Sequence, residues 1–396
     1  MVGNLLRYSI APLMSQGFPA GAYLYFLLSF SACTGQAQTA SKTSTVQTAV
    51  ASNSSALEPI RWRDALRQEE GWYSSPEAMR IADNLLLYQR DNGGWDKNMD
   101  MAKVLTEKEE EELRSPIEKG RVSTIDNKAT FTQMEYLARV YQATGQEKYK
   151  ASFLRGMDYL YEAQYENGGW PQFYPIREGY YEHITFNDGA MIGVMRLLRD
   201  VAQDKPTYSF VDATRKSQAA KAVEKGVEAI LKTQIKVNGH LTAWCAQHDK
   251  TNFAPQKARA YELPSISGGE SVGIVKFLME MEQPNQEVIN AVDGAVSWLE
   301  RVKVEGIRLD KVEIPSINKG YDLVVVNDPA APALLARFYK IGTNQPMFVG
   351  RDGIVRETIA EIEQERRVGY SWYLEFPQDL VEKAYPAWKQ KWKTAE

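Results

Sequence analysis

Three stretches of the 396-residue chain set acidic, amide and basic side chains in short segments ahead of helical patterns. "STIDNKATFTQMEYLA" (123–138) carries Asp126 and Asn127, "HITFNDGAMIGVM" (183–195) carries Asn187 and Asp188, and "QKARAYELPSISGGESVGIVKFLM" (256–279) carries Arg259 and Glu262. An isolated Asp or Asn before a helix ordinarily caps it, accepting hydrogen bonds from orphan backbone amides. The capping account weakens when such pairs recur at matching points of a repeat. In a ring of helices those points face one cleft, where Asp126 and Asp188 can share a hard cation such as Ca2+. For Arg259 the ordinary reading is an ion pair with Glu262, three positions on. Other chemistries lack support: His183, His240 and His248 stand singly, and no HExxH, cysteine pair, GxSxG or Walker loop is present.

The elements that must position these residues are helical. Apolar residues follow helical spacing through Phe131–Tyr141, Tyr149–Tyr161, Met191–Val201, Val223–Gln234, Val272–Met281, Val288–Val302 and Pro329–Ile341. Strand alternation is rare, with "YDLVVVND" (321–328) the best case. "QRDNGGW" (89–95) recurs as "QYENGGW" (164–170), and Gln234 opens a third version, "QIKVNGHLTAW". A repeat of about 70 to 75 residues is two helices plus two loops, so the fold class is mainly α, a toroid of helical hairpins. Each cassette follows a helix ending in Gln, and its glycines are expected to stop that helix in left-handed conformations. Trp95 and Trp170 either line the cleft or pack beneath it.

Hydrophobic content of 44% and charged content of 25% suit a globular chain, and a net charge of −4 gives no basic excess for nucleic acid. Residues 22–33, "AYLYFLLSFSAC", are apolar but too short to span a bilayer. Residues 1–33 are therefore expected to be a secretory signal, with Cys33 a candidate lipid anchor. Residues 34–60, rich in Ser, Thr, Ala and Gln, read as a disordered tether, and 61–396 as a single domain, expected to be monomeric and secreted, periplasmic or surface-anchored. Cys245 is then the one cysteine in the domain, so no disulfide forms there, and it reads as a small buried residue.

Several motifs in order, "NGGWDKNM", "STIDNKAT", "YEHITFNDGAM", "TAWCAQHD", "ARAYELPSISGGES" and "LLARFYKIGTNQPMFVGRDG", resemble the family 10 polysaccharide lyases over most of residues 62–375. The resemblance implies an (α/α)3 toroid with short β segments. It also implies a secreted pectate lyase that cleaves polygalacturonate by Ca2+-dependent β-elimination. Asp126 and Asp188 would be metal ligands and Arg259 the base that removes the C5 proton. Lys97, Asn127, Arg337 and Arg351 would bind substrate, with Arg337 on a helix.

The chemistry is coherent, because losing the C5 proton builds charge on the neighbouring carboxylate, which a metal can neutralise. An arginine keeps its proton to a pKa of roughly 12.5 or more. An alkaline optimum is therefore expected, with the Ca2+ cluster and burial lowering that pKa. The chain departs from the family pattern at Asp96, where proline is usual, at Lys128, where glycine is usual, and at Gly189, where an acidic residue is usual. Two other readings stay open: an inverting hydrolase using Asp188 and Glu262 some ~6.5 to 9.5 Å apart, and a non-catalytic binder of acidic glycans.

Overall fold

From Pro76 onward, amphipathic segments with explicit start signals alternate with polar connections, and a computed structural model describes residues 60–393. The expected signal, Cys33 and nearly all of the tether lie outside the described residues. Helix α1 (Pro76–Tyr88) begins with Pro76 behind Ser75, whose hydroxyl accepts from the Ala78 amide at 3.1 Å. It is followed by α2 (Phe131–Thr144), α3 (Glu147–Ala163), α4 (Ala190–Ala202), α5 (Ala213–Thr233), α6 (Gly268–Met279) and α7 (Gln286–Val302). Side chains of Asp212 and Asn285 cap α5 and α7 at 3.0 Å each.

The helices pair as hairpins, α2 with α3, α4 with α5 and α6 with α7. The first members, α2, α4 and α6, pack on one another in succession, while α1, α3, α5 and α7 pack side by side. The result is two concentric layers, an (α/α)3 toroid. Its core runs through both, with Met134, Leu137, Phe153, Leu198, Ile230, Phe277 and Trp298 fully buried. Burying an aliphatic or aromatic side chain of this size contributes about 1.5 to 3 kcal/mol.

The repeated cassette joins the layers. Gln89 ends α1 in an extended conformation, so the helix is not stopped by a left-handed glycine as expected. The Gln side chain does that work instead, because Gln89 Nε2 donates to the carbonyls of Gly93 at 2.8 Å and Ser152 at 2.9 Å. Gln164 does the same to Gly168 and Ala222, and Gln234 to Thr242 and Ala291. Each glutamine thus fastens its own turn to the next outer helix. Gly93 and Gly168 do have positive φ, and a Cβ there would lie 2.2 Å from the Arg155 carbonyl oxygen or 2.0 Å from that of Lys225. Their role is close approach of turn to helix. The tryptophans Trp95, Trp170 and Trp244 are wholly buried and donate to the carbonyls of Leu85, Leu160 and Ile230. They pack beneath the cleft and do not line it.

Two-residue antiparallel ladders tie one connection to the next. Ser123–Thr124 pairs with Phe173–Tyr174, Ile184–Thr185 with Gln247–His248, and Ile266–Ser267 with Phe338–Tyr339. The expected strand at 321–328 is present as Tyr321–Asn327, paired with Ile307–Glu313. The helix expected over 329–341 is not. Leu334–Ala336 is a strand paired with Tyr373–Glu375, and Phe338–Tyr339 is another. Pro329 and Pro332 withhold amides from a first turn, and the buried apolar run beyond them serves short strands. Cys245 is buried and free, as expected.

Candidate active site

Every candidate residue lies in a connection leading from an outer to an inner helix, or in the segment after α7. The connections share a register. The amides of Thr124, Thr185 and Ser267 donate to the carbonyls of Trp95, Trp170 and Trp244 at 3.0, 3.1 and 2.7 Å. Two residues beyond these anchors stand Asp126, Asn187 and Gly269; three beyond stand Asn127, Asp188 and Glu270. Asn127 (φ 49°) and Asp188 (φ 52°) are both left-handed, a conformation Asn and Asp tolerate better than most residues. The two aspartates are therefore not at matching points. Asp126 matches Asn187, and Asp188 matches Asn127 and Glu270. Neither aspartate caps a helix, since Thr130 and Gly189 precede α2 and α4 and no side-chain cap is made.

The unmatched aspartates nonetheless meet. Asn187 Nδ2 donates to Asp188 Oδ2 at 2.9 Å and reaches Asp126 Oδ1 at 3.4 Å. Asp126 is 2% exposed; its Oδ2 takes a hydrogen bond from Gln172 Nε2 at 2.6 Å and a close ion pair from Lys97 Nζ. Asp188 is exposed, and its amide lies 3.4 Å from Glu270 Oε1. Burial of its carboxyl, with repulsion from Glu270 and Asp126, holds Asp188 above the usual aspartate range against the opposing pull of Arg337. Asn127 sits at the surface, donating to Asn98 Oδ1 at 2.8 Å.

Arg337 stands between the two short strands, not on a helix. Its Nη2 is 3.8 Å from Asp188 Oδ1 and 3.6 Å from Glu270 Oε1, and its guanidinium lies 4.5 Å from the Tyr370 ring centroid. Tyr370 donates its hydroxyl to Glu262 Oε1 at 3.0 Å, and Glu262 holds Arg259 through two bonds, one of 2.8 Å from Nε. A continuous chain of contacts thus runs from Asp188 through Arg337 and Tyr370 to Arg259.

The expected lowering of the Arg259 pKa is reversed. Its hydrogen bond to Glu262 outweighs burial and raises it further above the ordinary arginine value. Burial opposes ionisation of Glu262, yet hydrogen bonds from Arg259 and Tyr370 and the arginine's charge hold that carboxyl below its usual range. Glu262 is accordingly unsuited to be the protonated acid of a hydrolase. Arg351 is exposed and paired with Glu365 at 2.6 Å, with its guanidinium 5.5 Å from the Tyr261 ring that Arg259 also faces at 5.1 Å.

The fold therefore gathers Asp126, Asp188, Lys97 and Arg337 directly, and Arg259 through Tyr370. Sequence reasoning missed Gln172, Glu270, Arg366 and Tyr370. Glu270 had a signal: "TIDN", "TFND" and "SGGE" begin at the same anchor. Arg366, 4% exposed, stacks 3.7 Å from the Tyr261 centroid, and two of its nitrogens have no partner. Among the described residues no group of three or more His, Cys, Asp or Glu is arranged to hold a metal.

The sequence pattern of the pectic acid lyase family matches residues 89–381. Among solved structures, a family 10 polysaccharide lyase from Cellvibrio cellulosa is 35% identical, with a TM-score of 0.69, covering 82% of this chain and 94% of that one. An aspartate-to-alanine mutant of the Cellvibrio cellulosa family 10 lyase, in complex with trigalacturonic acid, is likewise 35% identical, with a TM-score of 0.68 over 80% of this chain and 95% of that one. No curated protein sequence matches.

Proposed function

The chain belongs to the pectic acid lyase family and is a family 10 polysaccharide lyase, and from that premise we propose that it is a secreted pectate lyase cleaving α-1,4-galacturonan by Ca2+-dependent β-elimination, with Arg259 as base. The observation that carries this reading is the meeting of Asp126 and Asp188 at Asn187, joined to Arg259 through Arg337, Tyr370 and Glu262. The ligand of the Cellvibrio relative, trigalacturonic acid, is an oligomer of the proposed substrate.

The donor chemistry suits a hard cation. Asp126 Oδ1 keeps only its 3.4 Å contact to Asn187, and Asp188 Oδ1 only a 3.8 Å ion pair to Arg337. Crowding by Glu270 and Asp126 pushes the Asp188 carboxyl towards protonation, a strain that a divalent cation relieves. Asp126 and Asp188 would hold Ca2+, which when bound supplies positive charge for the uronate carboxylate as negative charge develops there.

The remaining work falls to the chain's own side chains. Arg337, half-buried between Asp188 and Tyr370, orients a uronate carboxylate through its planar fork, and Arg351 and Lys97 take neighbouring carboxylates. Arg259, in its neutral form, takes the C5 proton. The C5–H electron pair becomes the C4–C5 double bond, the C4–oxygen bond breaks, and the departing sugar oxygen takes a proton from water. Pairing with Glu262 keeps the neutral form scarce, so turnover rises with pH through the alkaline range.

The test is product identity on polygalacturonate. An unsaturated, ultraviolet-absorbing uronide that a chelator suppresses and Ca2+ restores is expected. Reducing ends gained without absorbance mean hydrolysis and reject the reading.

A further inference from the structure

The connection after the second cassette carries an aromatic and cationic surface that the proposed chemistry does not use. Phe173 is fixed opposite Thr124 in a two-residue ladder, two positions before Asp126. The chain then leaves as an exposed loop, Ile176 to Gly179, and returns at Tyr181, whose carbonyl accepts from the Gln172 amide at 2.9 Å. Phe173 and Tyr181 meet edge to face, 5.3 Å between centroids at 90°. Lys97 Nζ lies 5.4 Å from the Phe173 centroid, and the exposed Arg177 guanidinium 5.7 Å from it and 4.4 Å from that of Tyr181. Tyr180 stacks on Tyr181 at 4.0 Å and stands near enough to Arg259 and Glu262 to feel their charges. The loop thus begins beside Lys97 and Asp126 and ends beside Arg259.

Charge separates Arg177 from its neighbours. Lys97 is paired with Asp126, Arg259 with Glu262, Arg337 with Asp188 and Glu270, and Arg351 with Glu365. Arg177 has no carboxylate within ion-pair distance among the described residues, and only aromatic faces hold it in place. An uncompensated guanidinium held on a ring pair, within a few sugars' reach of Lys97, is suited to a polyanion that runs along the cleft. We propose that Arg177, with the Phe173–Tyr181 ring pair behind it, forms a further uronate subsite that engages a galacturonan carboxylate beyond the sugar being cleaved. The proposal rests on the pectate-lyase reading.

The experiment compares wild type, Arg177→Ala and Arg177→Lys on galacturonan oligomers of graded length, following unsaturated product, and on galacturonan set in an electrophoresis gel, following retardation. Arg177 is exposed and makes no ion pair, so both variants fold with unchanged melting. For long oligomers Arg177→Ala raises KM about five-fold, as one exposed charge contact allows, with kcat within about two-fold. Arg177→Lys restores most of the loss, the gel shows weaker retardation of the alanine variant, and added salt narrows the gap. Wild-type KM at every length and wild-type retardation for Arg177→Ala overturn the subsite. Absence of unsaturated product from the wild type overturns the lyase reading instead, and the gel still decides the subsite.

Discussion

Asn127 and Asp188 occupy the same position of successive connections: each stands three residues past a residue anchored on a tryptophan carbonyl, and each has φ near +50°. The pairs "DN" and "ND" look like one motif, yet the chain offsets them by one residue. That offset buries one carboxylate and leaves the other open, so Asp126 and Asp188 converge from different depths.

Asp188→Asn tests the open carboxylate without disturbing the backbone, because Asn127 shows that asparagine accepts this conformation. Melting is expected to stay within about 0.5 kcal/mol of wild type. Turnover should fall at least about 100-fold, as does Ca2+-induced stabilisation, since a metal ligand is lost. Normal turnover with a normal Ca2+ shift in a calorimetric melt would remove Asp188 from the site.

Lys97 competes with a cation for Asp126. Lys97→Met leaves a buried carboxylate unpaired, which costs about 3 kcal/mol in the metal-free protein. Ca2+ then has more to compensate, so its stabilising shift should exceed that of wild type, while KM for polygalacturonate rises. An equal or smaller shift contradicts this arrangement.

Glu262 sets the pH scale of the proposed base. Its carboxylate stabilises the protonated Arg259 guanidinium, so removing that charge allows the proton to leave at lower pH. The alkaline rise of kcat/KM in Glu262→Gln should shift downward in pH, alongside a lower maximum from looser positioning. Linkage gives a second sign. The folded carboxyl lies below its unfolded value, so the pair's stabilisation is present above that unfolded value and is lost as pH falls through the depressed one. An unshifted rate profile argues that Arg259 is not the titrating group.

Gln89→Leu addresses the scaffold. It leaves the buried carbonyls of Gly93 and Ser152 without their donor, a loss of about 3 kcal/mol. Chemical denaturation should show that loss with kcat retained per folded molecule. A wild-type midpoint would show that the cassette does not fasten the layers.

Much of this arrangement is legible in the residues. Helical periodicity and the spacing of Gln89, Gln164 and Gln234 give the toroid, because each hairpin repeats the same burial problem with the same solution. The two aspartates stand out as polar residues ahead of apolar helices. Pro329 to Ile341 misleads, since a short apolar run suits either a helix or a buried strand, and its pairing partners, Ile266–Ser267 and Tyr373–Glu375, are distant in the chain. The same distance hides Tyr370 and Arg366. Gln172 looked like part of a turn, and its bond to Asp126 exists only once two connections lie side by side. The direction of the Arg259 shift was missed because the Glu262 pairing, foreseen from spacing, was not carried through to its effect on the proton.

The most direct measurement is ultraviolet absorbance of unsaturated uronide released from polygalacturonate by wild type and Arg259→Ala, with Ca2+ and with chelator, at neutral and alkaline pH. Absorbance should grow with wild type in Ca2+, faster at alkaline pH, stop with chelator, and be lost in Arg259→Ala. Chelator-insensitive product, or unsaturated product formed at the wild-type rate by Arg259→Ala, would contradict proton removal by Arg259 at a Ca2+ site held by Asp126 and Asp188.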